Sequence, residues 1–120
     1  MIQKTIKKTC QISGLGLHSG KKVNLTLLPA PVNTGIIFIR TDCGEQKIPS
    51  IPSSLSATNR ATILEKKGCR IITPEHLLAT LYGFQIDNLF IKLDAEEVPI
   101  MDGSALSFIK DIQKAGIQEL

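Results

Sequence analysis

Among the 120 residues of this chain, the neighbours Glu75 and His76 are the pair best suited to chemistry. They stand in Thr73-Pro74-Glu75-His76-Leu77-Leu78-Ala79-Thr80-Leu81-Tyr82, which reads as the start of a helix. Thr73 is the expected N-cap, its hydroxyl accepting from an orphan N–H of the first turn, and Pro74 suits the first helical position, where no donor is needed. Leu77, Leu78 and Leu81 form an apolar stripe that would dock on a sheet. The positive end of the helix dipole favours Glu75 as a carboxylate and His76 as a neutral imidazole. Such a pair can give a metal hydrolase one zinc ligand and one acceptor for the proton of the attacking water. The same two residues also fit a quieter role, with Glu75 complementing the dipole and His76 on the surface, because the pair lacks the information of a full His-Glu-x-x-His helix.

Other candidates are weaker. Ser13-Gly14-Leu15-Gly16-Leu17-His18-Ser19-Gly20 is rich in glycine, but a phosphate-cradling loop requires a helix straight after it, and a strand pattern follows here. The glycines instead suit a bend or a close backbone approach. His18 in this loop reads as a loop histidine rather than a metal ligand. Asp87-Asn88 and Asp102-Gly103-Ser104 carry side chains that bond nearby backbone, so a structural role is expected of both. Cys10, Cys43 and Cys69 are odd in number and widely spaced. They suggest neither a disulfide framework nor a cysteine zinc site, and each is expected to be a small buried hydrophobe in a reducing compartment. A net charge of +3 with 4% aromatic residues argues against nucleic acid as a partner. No apolar run is long enough for a transmembrane segment, so the expectation is a cytoplasmic, soluble protein.

The elements that must position these residues follow from pattern. Ile2 to Ile12 alternates loosely as a strand, and Lys22 to Leu27 alternates cleanly, with Pro29-Ala30-Pro31 ending it. Asn33-Thr34-Gly35 reads as a turn and Ile36 to Ile39 as a buried strand. Cys43 to Ser56 suits an irregular connection or edge strands. Residues 61–64 and 69–72 form a hairpin about Lys66-Lys67-Gly68 that leads into the Glu-His helix, which Gly83 punctuates. Asn88 to Leu93 is a further strand, and Leu106, Phe108, Ile109 and Ile112 make the apolar face of a last helix capped by Asp102 or Ser104 and stopped by Gly116. Strands first and helices later predict a single α+β domain over 1–120, a two-layer α/β sandwich of mostly antiparallel sheet with two helices on one face.

These segments resemble the UDP-3-O-acyl-N-acetylglucosamine deacetylases of lipid A biosynthesis. The matching stretches are residues 14–20, 25–31, Asn33-Thr34-Gly35-Ile36, Arg40-Thr41-Asp42, residues 73–79, Ile86-Asp87-Asn88 and Val98-Pro99-Ile100-Met101-Asp102-Gly103-Ser104-Ala105. They occur in the family's order and cover nearly the whole chain. The resemblance implies a zinc-dependent hydrolase that removes the acetyl group from the glucosamine nitrogen of a UDP-linked, acylated sugar. It implies that His76 ligates Zn²⁺ and that Glu75 is the general base. It also implies that Leu17 and the segment around Thr58, Arg60 and Ala61 lie near the substrate. Family members are longer, with a second, C-terminal domain of similar form that supplies the remaining zinc ligands. The chain is therefore expected to be the first domain of such an enzyme, inactive or nearly so without the other. The alternative is a non-catalytic, stand-alone binding module with the same fold.

Overall fold

The alternation that marks a strand at Lys22 also decides which face of the sheet is buried. Val23, Leu25 and Leu27 are buried, whereas Lys22 and Asn24 face solvent. The protein's structure is a computed structural model that describes residues 2–51, 55–57, 62–99 and 106–120. In chain order the elements are β1 (Lys4–Ile6), β2 (Cys10–Leu15), β3 (Lys22–Pro29), β4 (Ile36–Arg40), a 3₁₀ turn (Thr41–Cys43), β5 (Gln46–Pro49) and β6 (Leu55–Ala57). They continue with β7 (Thr62–Lys66), β8 (Cys69–Ile72), α1 (Glu75–Gly83), β9 (Leu89–Leu93), α2 (Leu106–Ala115) and β10 (Ile117–Glu119).

The main sheet has five strands in the order β2-β3-β9-β4-β5, antiparallel except where β4 runs parallel to β9. Register places Leu25 opposite Leu93, Leu27 opposite Ile91, and Phe38 beside both Ile91 and Ile48, so one face is continuous hydrocarbon. Leu77 and Leu81 of α1 and Phe108, Ile112 and Ala115 of α2 join that face in one core, together with Leu64, Cys69 and Ile71 of a three-stranded sheet, β6-β7-β8. The α+β, two-layer architecture expected from the pattern is what the chain adopts. The edge strands fall where the Pro- and Ser-rich segment was expected to place them: β5, ending at Pro49, borders the main sheet, and β6 borders the small one. The hairpin turn has both Lys67 and Gly68 at positive φ (51° and 80°), the conformation that matches strand twist in a two-residue loop.

Three expectations need correction. The strand expected over Ile2 to Ile12 is two strands: β1 leaves the sheet and pairs with β10, which the sequence pattern did not suggest. The α1 start differs as well. Pro74 is the N-cap (φ −81°, ψ −4°), without a side-chain cap bond, and Thr73 lies in the left-handed region at φ +54°. Its hydroxyl turns back to donate to the Ile72 carbonyl at 2.8 Å, so it caps nothing. The cysteines also differ: Cys10 is a buried free thiol as expected, but Cys43 and Cys69 form a disulfide. The fold carries β8 back past the turn that follows β4, and this brings two residues 26 apart in sequence to a Cα–Cα separation of 6.5 Å.

Asp87-Asn88 has the expected structural role. Asn88, 1% exposed, accepts from the Gly35 N–H at 2.9 Å and donates to Gln3 Oε1 at 2.8 Å. Gln3 in turn bonds the Asn33 side chain and backbone, while Asp87 accepts from the Lys4 N–H. This neutral network fixes the Asn33-Thr34-Gly35 turn, where Asn33 and Gly35 both have positive φ.

Candidate functional site

Glu75 and His76 occupy the first turn of α1, and both are exposed. The helix runs only from Glu75 to Gly83, so its stability comes from Leu77, Thr80 and Leu81 packed beneath it rather than from its own length. Its far end is closed by Gln85 at φ 59°: the Gln85 N–H bonds Tyr82 O and the Ile86 N–H bonds Leu81 O, a Schellman arrangement without glycine. Packing on one face therefore leaves the side chains of the first turn facing outward.

What precedes the helix is held unusually firmly. Arg40, 7% exposed on the inner face of β4, makes a bidentate pair with Asp42 (both contacts 2.8 Å) and donates to the Arg70 carbonyl of β8 at 2.7 Å. The Arg40 guanidinium holds the Asp42 carboxyl below its ordinary range. The Cys43–Cys69 disulfide makes a second tie between the same two segments. A third tie comes from residues 96–98. Ile72 forms a parallel bridge with Glu97, with its N–H bonded to Glu96 O at 2.7 Å and its O to the Val98 N–H at 3.0 Å. Strand β8, paired with β7 along its other edge, is thus fixed just before it delivers Thr73, Pro74, Glu75 and His76.

Glu97 is 2% exposed, and its carboxylate joins the glycine-rich loop to this segment. It accepts from the Ser19 N–H at 2.9 Å and from the His18 N–H at 3.1 and 3.0 Å, and its Oε2 lies 3.4 Å from the Thr73 hydroxyl. Burial works against its charge, but the Ser19 and His18 N–H groups and the Ser19 hydroxyl outweigh that, so its pKa lies below the ordinary carboxylate value. Gly16 makes room here: a Cβ at that position would overlap Glu97 Oε1 and force the carboxylate to shift. The glycine loop is therefore a close approach of backbone to a carboxylate, not a phosphate cradle. Leu17, at its tip, is 64% exposed, and His18 is exposed beside it.

The structure thus brings Leu17 and His18, through Glu97, to the segment that carries Glu75 and His76. Thr58, Arg60 and Ala61 lie outside the described residues, as does the Asp102-Gly103-Ser104 turn. Glu97 itself was missed by the sequence pattern, which placed it in a loop with turn chemistry. The available signal was one of two adjacent glutamates running directly into the apolar Val98-Pro99. Among the described residues no group of three or more His, Cys, Asp or Glu side chains gathers as a metal centre. His76 offers one nitrogen donor and Glu75 one carboxylate, which fits one corner of a zinc site and not the whole.

The family profile described as UDP-3-O-acyl N-acetylglycosamine deacetylase matches residues 3–120. The chain belongs to this family. It is 52% identical over 118 residues to the UDP-3-O-acyl-N-acetylglucosamine deacetylases of Oleidesulfovibrio alaskensis and Marinobacter nauticus, and 50% identical to that of Chromohalobacter salexigens. Each match covers 98% of this chain and 39% of the relative, so the chain spans about two fifths of the length of these deacetylases. No helix among the described residues is long and apolar enough to cross a membrane.

Proposed function

We propose that this chain supplies the proton acceptor and one metal ligand for hydrolysis of the N-acetyl group of UDP-3-O-acyl-N-acetylglucosamine in cytoplasmic lipid A biosynthesis. The observation that carries this reading is the adjacency of Glu75 and His76 in the exposed first turn of α1, at the end of a strand tied from both sides. His76 would hold Zn²⁺ through a ring nitrogen, and the ion supplies Lewis-acid polarisation of the amide carbonyl when bound. Glu75 accepts a proton from the water whose oxygen adds to that carbonyl carbon. Breaking of the C–N bond then releases acetate, and the sugar nitrogen takes up a proton to become the free amine. Leu17, Thr58, Arg60 and Ala61 are assigned to substrate contact.

A catalytic zinc needs three protein ligands and an open position. Since His76 is the sole donor assigned to it in this chain, the other ligands are assigned to a second domain of the kind the relatives' additional length accommodates. Two surface features support such a neighbour. Leu15 and Leu17 are exposed beside the Glu97 loop, and Ala79, Gly83, Phe84 and Ile109 line an apolar groove of about 370 Å³ between α1 and α2.

The test is a chimera in which this chain replaces the matching segment of the Oleidesulfovibrio alaskensis relative. The chimera deacetylates the sugar nucleotide, and the 120-residue chain alone does so little or not at all. Glu75→Gln lowers turnover by about 10²–10⁴-fold with zinc retained, the range expected for loss of a general base. Full activity in Glu75→Gln sinks the assignment.

A further inference from the structure

Glu97 takes no part in the chemistry above, yet it is among the least favourable groups to bury in the described structure. Withdrawing a carboxylate from water is costly unless its oxygens are fully bonded. Here the described hydrogen-bond donors are N–H and O–H groups rather than a Lys or Arg: the backbone of His18 and Ser19 and the Ser19 hydroxyl, with the Thr73 side chain 3.4 Å away on the other side. A neutral amide serves the corresponding purpose at Asn88, so the mere pinning of a loop does not call for a charge.

The placement of Glu97 is specific in three ways. Its backbone is locked beside Ile72 by the parallel bridge, one residue before Thr73. Its carboxylate presses against Gly16, where any side chain would collide with it. It also lies against Thr73, a β-branched residue held at φ +54°, a conformation that persists only when its surroundings impose it. Two irregular backbone segments, the 16–20 loop and the entry to α1, therefore meet at one carboxylate.

We propose that Glu97 is the positioning residue of the site, setting Leu17 and His18 against the entry to α1 so that Leu17 meets the substrate whose amide faces Glu75. This rests on the reading of Glu75, His76 and Leu17 given under Proposed function. Glu97 acts through the loop backbone, its described contacts being with His18, Ser19 and Thr73. Its removal consequently weakens substrate binding and leaves metal content and the proton-transfer step in place.

The experiment has two arms. In the 120-residue chain, ¹H–¹⁵N spectra report the amide protons of His18 and Ser19, which are shifted downfield by the carboxylate and move upfield in Glu97→Gln. Should that variant not fold, Glu97→Asp, which keeps the charge on a shorter arm, moves the same two signals. In the chimera, Glu97→Gln raises KM for the sugar nucleotide about tenfold, with kcat changed less than about threefold and zinc content unchanged. Asn88→Ala, a lesion in the other buried network, leaves KM as it was. Unmoved amides overturn the clamp. A normal KM in an active chimera, or loss of zinc together with kcat, overturns the positioning role. A wild-type chimera that does not turn over removes the functional reading instead, and the amide shifts still decide whether Glu97 holds the loop.

Discussion

Asn88 and Glu97 are both buried polar side chains that hold a glycine-containing loop by its backbone N–H groups, yet they do so with different chemistry. Asn88 is neutral, and its partners Gln3 and Gly35, with Asn33 bonded to Gln3, complete a turn with no chemistry assigned to it. Glu97 is an anion bonded to His18 and Ser19 and seated beside Thr73, the residue that introduces Pro74, Glu75 and His76. A neutral network gives a fixed turn at small desolvation cost, whereas an ionised one demands that the loop close tightly over it. The difference separates a region that anchors the fold from one that arranges side chains for use.

The comparison can be broken at its strongest tie. Cys43→Ala removes the disulfide that ties β8 to the turn after β4, and the closed loop spans a sequence separation of 26. Loss of that constraint costs about 2–4 kcal/mol on the chain-entropy account. Urea unfolding shows that loss in oxidised protein, and the difference between variant and wild type vanishes with a thiol reductant present. In a reducing cytoplasm the same bond opens to two thiols, and the Arg40 contacts to Asp42 and Arg70 then hold the segment.

The anchoring region responds differently. Asn88→Ala strips the Gly35 N–H of its acceptor in a partly buried setting and costs about 1–3 kcal/mol of stability. Denaturant midpoints measure this, and zinc binding and turnover are expected to stay as they were. A large effect on KM would erase the distinction between the two networks.

The smallest expected effect sharpens the comparison through pH. Glu97 is held below its ordinary value of 4.5 in the folded protein and returns to it on unfolding. Its contribution is therefore complete above the unfolded value and is lost as pH falls through the folded one. Stability curves of wild type and Glu97→Gln converge as the pH is lowered from neutral into that window. Asn88→Ala shows no such convergence from its own side chain, because an amide does not titrate there.

How much of this was legible in the sequence follows from which forces were local. The alternation at Lys22 to Leu27, the Lys67-Gly68 hairpin and the stripe Leu77, Leu81 each state their burial within a few residues, and all are where the pattern put them. The Glu75-His76 pair was legible for the same reason, as a helix start. The role of Thr73 was not, because a side chain that caps by local rule here bonds the Ile72 carbonyl and lies beside Glu97, 24 residues on. The Cys43–Cys69 bond, the pairing of β1 with β10 and the burial of Glu97 depend on segments far apart in sequence. Spacing carries no trace of such meetings until the sheet order is known.

The most direct measurement is zinc affinity by calorimetry at neutral pH, for the metal-free 120-residue chain and for the metal-free chimera. The account predicts weak binding by the chain, tight one-to-one binding by the chimera, and loss of the tight site in His76→Ala. Tight binding that is undiminished in His76→Ala would contradict it.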